Sequence, residues 1–497
     1  MEDGKWRKNA QTTVEMVGKN CPRFNQASRV SNTHILNYSI LHYSFAIHPF
    51  PRYFFSFPHL TYSNTHLLRY STTPLDKFII HGGKKLSGTV TVSGAKNASL
   101  ALMPATILAP GKYRFSNTPV LRDITTMSRL LESIGCRTGH QNHTLTIDSS
   151  HVTSFEAPYD HVKKMRASVY VLGPLLGRYG QARVSLPGGC AWGPRPVNLH
   201  IEGMRRLGAE IELDAGYIVA KTKGLKGARI LFDVSSVGAT GNVLMAAVLA
   251  KGTTVIENAA MEPEISSLAG LLTAMGAKIR GIGSSTLEIE GVDDLRAADF
   301  ETIPDRIEAG TFLVAAAIAG DRGKTVRVDK CNPRHLGALM NKLEDTGARI
   351  SAGNDYVEIT PPEELKPVNV MTSVYSGFPT DMQAQWIALM SIARGASIIT
   401  ETIYFDRFTH VPELQRLGAN ITVKENAATV IGVSRLRGAK VMSTDLRASA
   451  SLILAGLAAK GTTEVLRVYH IDRGYEQIEK KLQGLGADIT RMSGEEF

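Results

Sequence analysis

The sequence predicts an α/β protein assembled from six copies of one helix-and-strand unit, and three observations predict it. A glycine inside a short apolar-Gly-Ala/Cys element, with Thr346 replacing the apolar residue in the fourth copy, recurs at Gly135, Gly208, Gly276, Gly347, Gly418 and Gly486, at intervals of 73, 68, 71, 71 and 68 residues. A second glycine register, at Gly111, Gly180, Gly252, Gly323, Gly395 and Gly461, runs beside it. Between these marks every copy repeats one order of helix, β-branched strand, helix and strand, the pattern of units that bury their helices by stacking.

The third copy shows the elements in turn. Residues 240–251, TGNVLMAAVLAK, are rich in Ala, Leu and Met and stop at Gly252, as a helix C-terminus favours. Residues 253–257 read as a strand, residues 265–275 as a second helix closed by Gly276, and residues 277–281 as another strand. The first helix is apolar nearly all round, which predicts burial. The second keeps a polar face for solvent, clearest at residues 335–345 of the fourth copy.

The spacing between the two registers is 23 to 25 residues in five copies but 28 in the second, from Gly180 to Gly208. That copy holds the loop LPGGCAWGPRPVNLH at residues 186–200. Gly188 and Gly189 let the backbone approach a ligand, Cys190 supplies a thiol, and Arg195 is stiffened between Pro194 and Pro196. An insertion in one copy of a regular scaffold is where function tends to be grafted.

A chain of 497 residues is too long for one core, and 43% apolar with 21% charged residues is a globular composition. The net charge is +10, yet residues 1–75 alone carry eight Lys/Arg against three Asp/Glu. The remainder is mildly basic, which argues against a nucleic-acid partner and suits a small anionic substrate. Residues 16–75 contain no Asp or Glu, a transit-peptide composition that predicts a plastid address, with the mitochondrion or the cytoplasm as alternatives. A disordered extension or a start codon placed too early is the competing reading of this leader. Its aromatic run at 37–57 is interrupted too often for a membrane span. Cys21, Cys136, Cys190 and Cys331 form neither a disulfide framework nor a CxxC site. The 14 histidines are dispersed and GxGxxG is absent, so no metal and no cofactor are expected.

From about residue 76 to the C-terminus the chain resembles the enolpyruvyl transferases, and among them the UDP-N-acetylglucosamine 1-carboxyvinyltransferase family. The motifs are SGAKNA at 93–98, KKMRAS at 163–168, LPGGC and GPRPVNLH within 186–200, and SVGAT at 236–240. They continue with PDRIEAGTF at 304–312, FPTDMQAQ at 378–385, TDLRASASL at 444–452 and HIDRGYE at 470–476. The resemblance implies a two-domain fold of six βαβαββ-type repeats, three per domain, an inside-out α/β barrel with its active site between the lobes. One lobe would be residues 96–303, the other residues 76–95 with 304–497.

The reaction implied moves the enolpyruvyl group of phosphoenolpyruvate to the 3′-hydroxyl of UDP-N-acetylglucosamine, opening peptidoglycan precursor synthesis and releasing phosphate. By the same resemblance Lys96, Arg195 and Arg473 hold phosphoenolpyruvate, with Arg447 as a further cation. Cys190 protonates its methylene carbon, which implies inactivation by the epoxide fosfomycin. Asp381 accepts the proton of the sugar hydroxyl, and Asp445 stands near the reacting carbon. Asp305, after Pro304 at a lobe crossing, reads as mainly structural. The nucleotide-sugar contacts fall on Asn97, Arg166, Arg195, Pro196, Val197, Asn198 and Leu199, on Val234, Ser235, Ser236 and Val237, and on Asp381 and Ile403. Val234, Asn198, Trp192 and Pro194 depart from the family pattern, where a basic residue, an Asp and small or aliphatic residues are usual. A monomer is the simplest assembly. The rival readings are 3-phosphoshikimate 1-carboxyvinyltransferase and a binding homologue that has lost the chemistry.

Overall fold

The computed structural model describes residues 76–163, 165–186 and 197–493. Among them are six four-stranded sheets of one topology. In the third copy, Arg229–Leu231 pairs in parallel with Thr253–Glu257, which pairs antiparallel with Thr286–Glu290, and that with Lys278–Arg280. Helices Val237–Ala247 and Pro263–Ala274 connect these strands, so the unit is βαβαββ in chain order. Three sheets complete themselves with strands from elsewhere in the chain. Phe300–Glu301 joins Lys112–Ser116, Gly88–Thr91 joins Val326–Asp329, and Lys77–His81 lies between Thr462–Leu466 and Asp488–Met492.

The glycine periodicity has a backbone cause. All twelve register glycines have positive φ, between 69° and 144°, a region that a β-carbon disfavours. At Gly180, φ 69°, the chain leaves helix Leu172–Tyr179 while its N–H still bonds the carbonyl of Leu176 at 3.0 Å.

The expected burial of the first helix of each copy is found. In Arg306–Ala319 every residue after Arg306 is buried, and Val237–Ala247 and Leu446–Ala458 are buried along nearly their whole length. These helices fill two cores. One runs from Leu100 to Leu295; the other combines residues from Phe78 to Val92 with residues from Ile307 to Ile489.

Some boundaries differ from expectation. Val237–Ala247 starts three residues before 240, because the Ser236 hydroxyl accepts the Ala239 N–H and starts the helix there. Pro263–Ala274 starts two residues before 265, with proline at its first turn. The helix expected over 335–345 is a 3₁₀ turn, Pro333–His335, capped by Asn332, followed by Gly337–Asp345.

Between the cores the two crossing segments pair with each other. Gly94 and Pro304 form an antiparallel bridge, the Ala95 N–H donates to the Ile303 carbonyl at 2.7 Å, and the Asp305 N–H to the Ser93 carbonyl at 2.9 Å. A β-carbon on Gly94 would lie 1.7 Å from the Asn117 carbonyl oxygen, so this crossing admits glycine only. Asp305 caps helix Arg306–Ala319 through the N–H groups of Ile307 and Glu308, at 2.8 and 3.0 Å. Its other oxygen accepts the Lys96 N–H at 3.2 Å, at the start of helix Lys96–Ala105. One carboxylate thus ties two helix starts together, the structural role expected of it. No helix among the described residues is long and apolar enough to cross a membrane.

Candidate active site

A cleft of about 840 Å³ is lined from both cores. Six of its lining residues are the first residues of helices: Lys96, Arg166, Asn198, Val237, Arg306 and Thr380. Helix N-termini carry the positive end of the helix dipole, and although Asp305 and Ser236 cap some of their N–H groups, helix starts gathered in one cleft favour anions there. Three of the six residues add a cationic side chain.

The charged centre has two halves. Asp381, in the 3₁₀ turn Thr380–Met382, is gripped on both oxygens: Arg407 Nη2 lies 2.9 Å from Oδ1, and Arg447 Nη2 2.6 Å from Oδ2. Burial works to raise its carboxyl, but Arg447, Arg407 and Lys96 overcome this and hold it well below the usual carboxylate range. Arg447 is fixed from behind by a hydrogen bond to the Tyr475 hydroxyl at 3.1 Å, which also meets Thr311 Oγ1 at 2.8 Å.

The other half is built on Asp123, in the first turn of helix Arg122–Ser133. It accepts from Arg473 Nε and Nη2 at 2.9 and 3.3 Å, and Lys96 Nζ stands 3.7 Å away. Burial pulls the Lys96 ammonium below its ordinary value; Arg447 and Arg473 add to this, while Asp123 and Asp381 oppose it. Lys96 therefore feels both carboxylates and both arginines. Such a set can hold a multiply charged anion beside a carboxylate kept in its ionised form by its arginines.

Most residues singled out in the sequence meet here. Lys96, Asn97, Arg166, Asn198 and Leu199 line the cleft from the first core, with Val234, Ser235, Ser236 and Val237 beside them. Asp381, Ile403 and Arg473 line it from the other side. Val197 is not among the lining residues, and Arg447 reaches the cleft through Asp381. Asp445 is the N-cap of helix Leu446–Ala458: Oδ1 accepts the N–H groups of Arg447 and Ala448 at 2.7 and 3.2 Å. Cys190, Arg195 and Pro196 lie outside the described residues.

Asp123, Arg407 and Glu401 were not singled out by motif or spacing. Neither was the pair Arg306 and Glu264, whose Nε and Oε1 lie 3.1 Å apart at the cleft wall. His200, also among the residues lining the cleft, is buried, and its imidazole is lowered to about 3 by burial and by Arg166. Asn242 fixes its tautomer. The Asn242 carbonyl oxygen accepts from the Gly173 N–H, so its amide nitrogen must donate to His200 Nδ1, at 2.9 Å, leaving the ring proton on Nε2.

Comparison with known proteins places these features in one class. Residues 80–482 match the family model of EPSP synthase (3-phosphoshikimate 1-carboxyvinyltransferase). The enolpyruvyl transferase NikO of Streptomyces tendae superposes with a TM-score of 0.77 at 28% identity, over 85% of this chain and all of that one. An EPSP synthase of Acinetobacter baumannii shares the fold at 18% identity, with a TM-score of 0.66 over 84% of this chain and all of that one. The UDP-N-acetylglucosamine 1-carboxyvinyltransferase of Chloroherpeton thalassium is 61% identical over 426 residues, 85% of this chain and 99% of that protein. That of Trichlorobacter lovleyi is 56% identical over 84% of this chain and all of its own length. The chain belongs to the enolpyruvyl transferases, in the branch of the UDP-N-acetylglucosamine 1-carboxyvinyltransferases.

Proposed function

We propose that the protein transfers the enolpyruvyl group of phosphoenolpyruvate to the 3′-hydroxyl of UDP-N-acetylglucosamine, with release of phosphate. The observation that carries this reading is the paired charge centre: Lys96 and Arg473 on Asp123, next to an Asp381 kept ionised by Arg407 and Arg447. The first pair suits the phosphate and carboxylate of phosphoenolpyruvate, and Asp381 suits a hydroxyl that must lose its proton.

The residue roles follow. The Cys190 thiol gives a proton to C3 of phosphoenolpyruvate and leaves C2 electrophilic. The 3′-oxygen of the sugar bonds to C2 as its proton passes to Asp381, giving a tetrahedral adduct. Loss of a proton from C3 and breaking of the bond from C2 to the phosphate oxygen then form the enol ether and free phosphate. Lys96, Arg473 and the helix N-termini hold the anionic groups, with Arg195 as a further cation. Arg166, Asn97, Asn198 and the segment from Val234 to Val237 receive the nucleotide sugar. Asp445 acts through its cap, fixing the start of the helix that carries Arg447.

Phosphate release by residues 76–497 tests this. Release that needs both substrates and collapses in Cys190→Ala supports it; release with shikimate 3-phosphate in place of the nucleotide sugar sinks it. The same thiol is the site of covalent capture by fosfomycin, read as one adduct on Cys190 that Cys190→Asp abolishes. The leader, free of Asp and Glu over residues 16–75, addresses a plastid, tested by import of a fusion of residues 1–75 into isolated chloroplasts and mitochondria. The working unit is a monomer, which sedimentation of the purified protein tests. Its product feeds peptidoglycan precursor synthesis.

A further inference from the structure

We propose that Glu401 is a positioning residue for Asp381, setting the direction of Arg407 through the hydroxyl of Thr380. The inference rests on the reading of Asp381 as the proton acceptor.

Glu401 is fully buried and both its carboxylate oxygens are occupied. Oε1 accepts from Thr372 Oγ1 at 2.8 Å and from the N–H groups of Ile403 and Tyr404 at 2.8 and 3.0 Å. Oε2 accepts from Thr380 Oγ1 at 2.9 Å. The Thr380 hydroxyl spends its proton on Glu401, so its lone pair faces Arg407 Nη1, which donates at 2.9 Å. The other terminal nitrogen of that guanidinium then meets Asp381 Oδ1, also at 2.9 Å. Because a guanidinium is planar, fixing Nη1 on Thr380 fixes where Nη2 points. Glu401 therefore sets two walls of the cleft at once: the turn that carries Asp381, and the loop of Ile403 and Tyr404.

Glu401→Gln separates these two duties. Three donors hold the Oε1 position, so glutamine keeps its oxygen there and turns its amide nitrogen to Thr380, where the hydroxyl no longer has an acceptor. The loop stays, but the Thr380 hydroxyl, which now accepts from the amide and has lost the acceptor that oriented its proton, no longer has its lone pair aimed at Arg407 Nη1 by Glu401. Thr380→Val removes the hydrogen bond to Arg407 Nη1 outright without touching Oε1.

The test is a double-mutant cycle on turnover with crystal structures of both variants. Each single change is expected to lower kcat about ten- to a hundredfold with little change in either KM. The double variant should be no worse than the worse single one. Losses that multiply, or kcat retained in Glu401→Gln, overturn the proposal. So does a Glu401→Gln structure with Arg407 Nη2 still on Asp381 Oδ1 in the original geometry. An inactive wild-type protein would instead sink the assigned reaction, and the structures would still decide the positioning.

Discussion

Arg473 and Asp123 lie 350 residues apart in the chain and meet through two hydrogen bonds, Nε at 2.9 Å and Nη2 at 3.3 Å. Asp123 packs with the first core and Arg473 follows Ile471 of the second, so the contact joins the two halves at the floor of the cleft. Lys96 stands 3.7 Å from the same carboxylate. One acid therefore partly neutralises two of the cations proposed to hold the anionic substrate.

Replacing that acid has a definite pH signature. Asp123 raises the Lys96 value while burial, Arg447 and Arg473 lower it. Asp123→Asn removes a raising influence, so the ammonium loses its proton at lower pH. The alkaline limb of kcat/KM for phosphoenolpyruvate is expected to move to lower pH than in the wild type. An alkaline limb that stays in place would separate Lys96 from substrate binding.

Asp305 gives a stability prediction. It accepts the N–H groups of Ile307, Glu308 and Lys96, capping two helices at the crossing between the cores. A cap is worth about 1 kcal/mol, so Asp305→Ala should destabilise by roughly 2 kcal/mol. Asp305→Asn keeps one acceptor oxygen and should lose about half of that. Urea unfolding of the two variants measures both, and equal losses would refute the division between the two helices.

His200 and His410 are both lowered to about 3 by burial, with Arg166 and Arg407 respectively adding to the effect. Their unfolded value is near 6.5, so above that pH neither state binds the extra proton and the stability they permit is complete. As pH falls from 6.5 toward 3 the unfolded chain takes up protons that the folded one refuses. Each histidine then costs about 1.4 kcal/mol per pH unit. The urea midpoint should fall steeply below pH 6.5, and His200→Gln should make that fall shallower. An unchanged slope in the variant would show that His200 is not a source of the acid lability.

What could be read from the sequence was what repeats or what is local. The glycine registers were legible because every copy needs positive φ at the same two turns, and the buried helices because their apolar faces leave no polar side. The capping of Leu446–Ala458 by Asp445 has a local signal too, since Thr444 and Asp445 precede an apolar run. The closing strand Lys77–His81 has none: its partners Thr462–Leu466 and Asp488–Met492 lie at the other end of the chain. Lys96, Arg166 and Asp381 were found through motifs that share one cleft. Asp123, Arg407 and Glu401 were missed because each acts on a residue distant in sequence, and no spacing marks such a contact.

Asp381 carries the last prediction. With Arg407 on one oxygen and Arg447 on the other, its carboxyl stays ionised well below the ordinary range, so it can accept a hydroxyl proton throughout the working pH. It follows that the acid limb of the wild-type rate belongs to another group. Asp381→Asn keeps the size and one acceptor oxygen but cannot take a proton, and should lower kcat about 10²- to 10⁴-fold. Because a neutral amide has no carboxylate to unmask, no rise in pH should restore the loss. The nucleotide sugar should still bind, since the residues proposed to receive it, Arg166, Asn198 and the segment from Val234 to Val237, line the cleft apart from Asp381. Steady-state kcat and KM across the neutral range, with calorimetric binding of UDP-N-acetylglucosamine, measure all three. A kcat loss under tenfold, or full recovery at alkaline pH, would move the proton acceptor elsewhere and leave Asp381 as the anchor that orients Arg447 and Arg407.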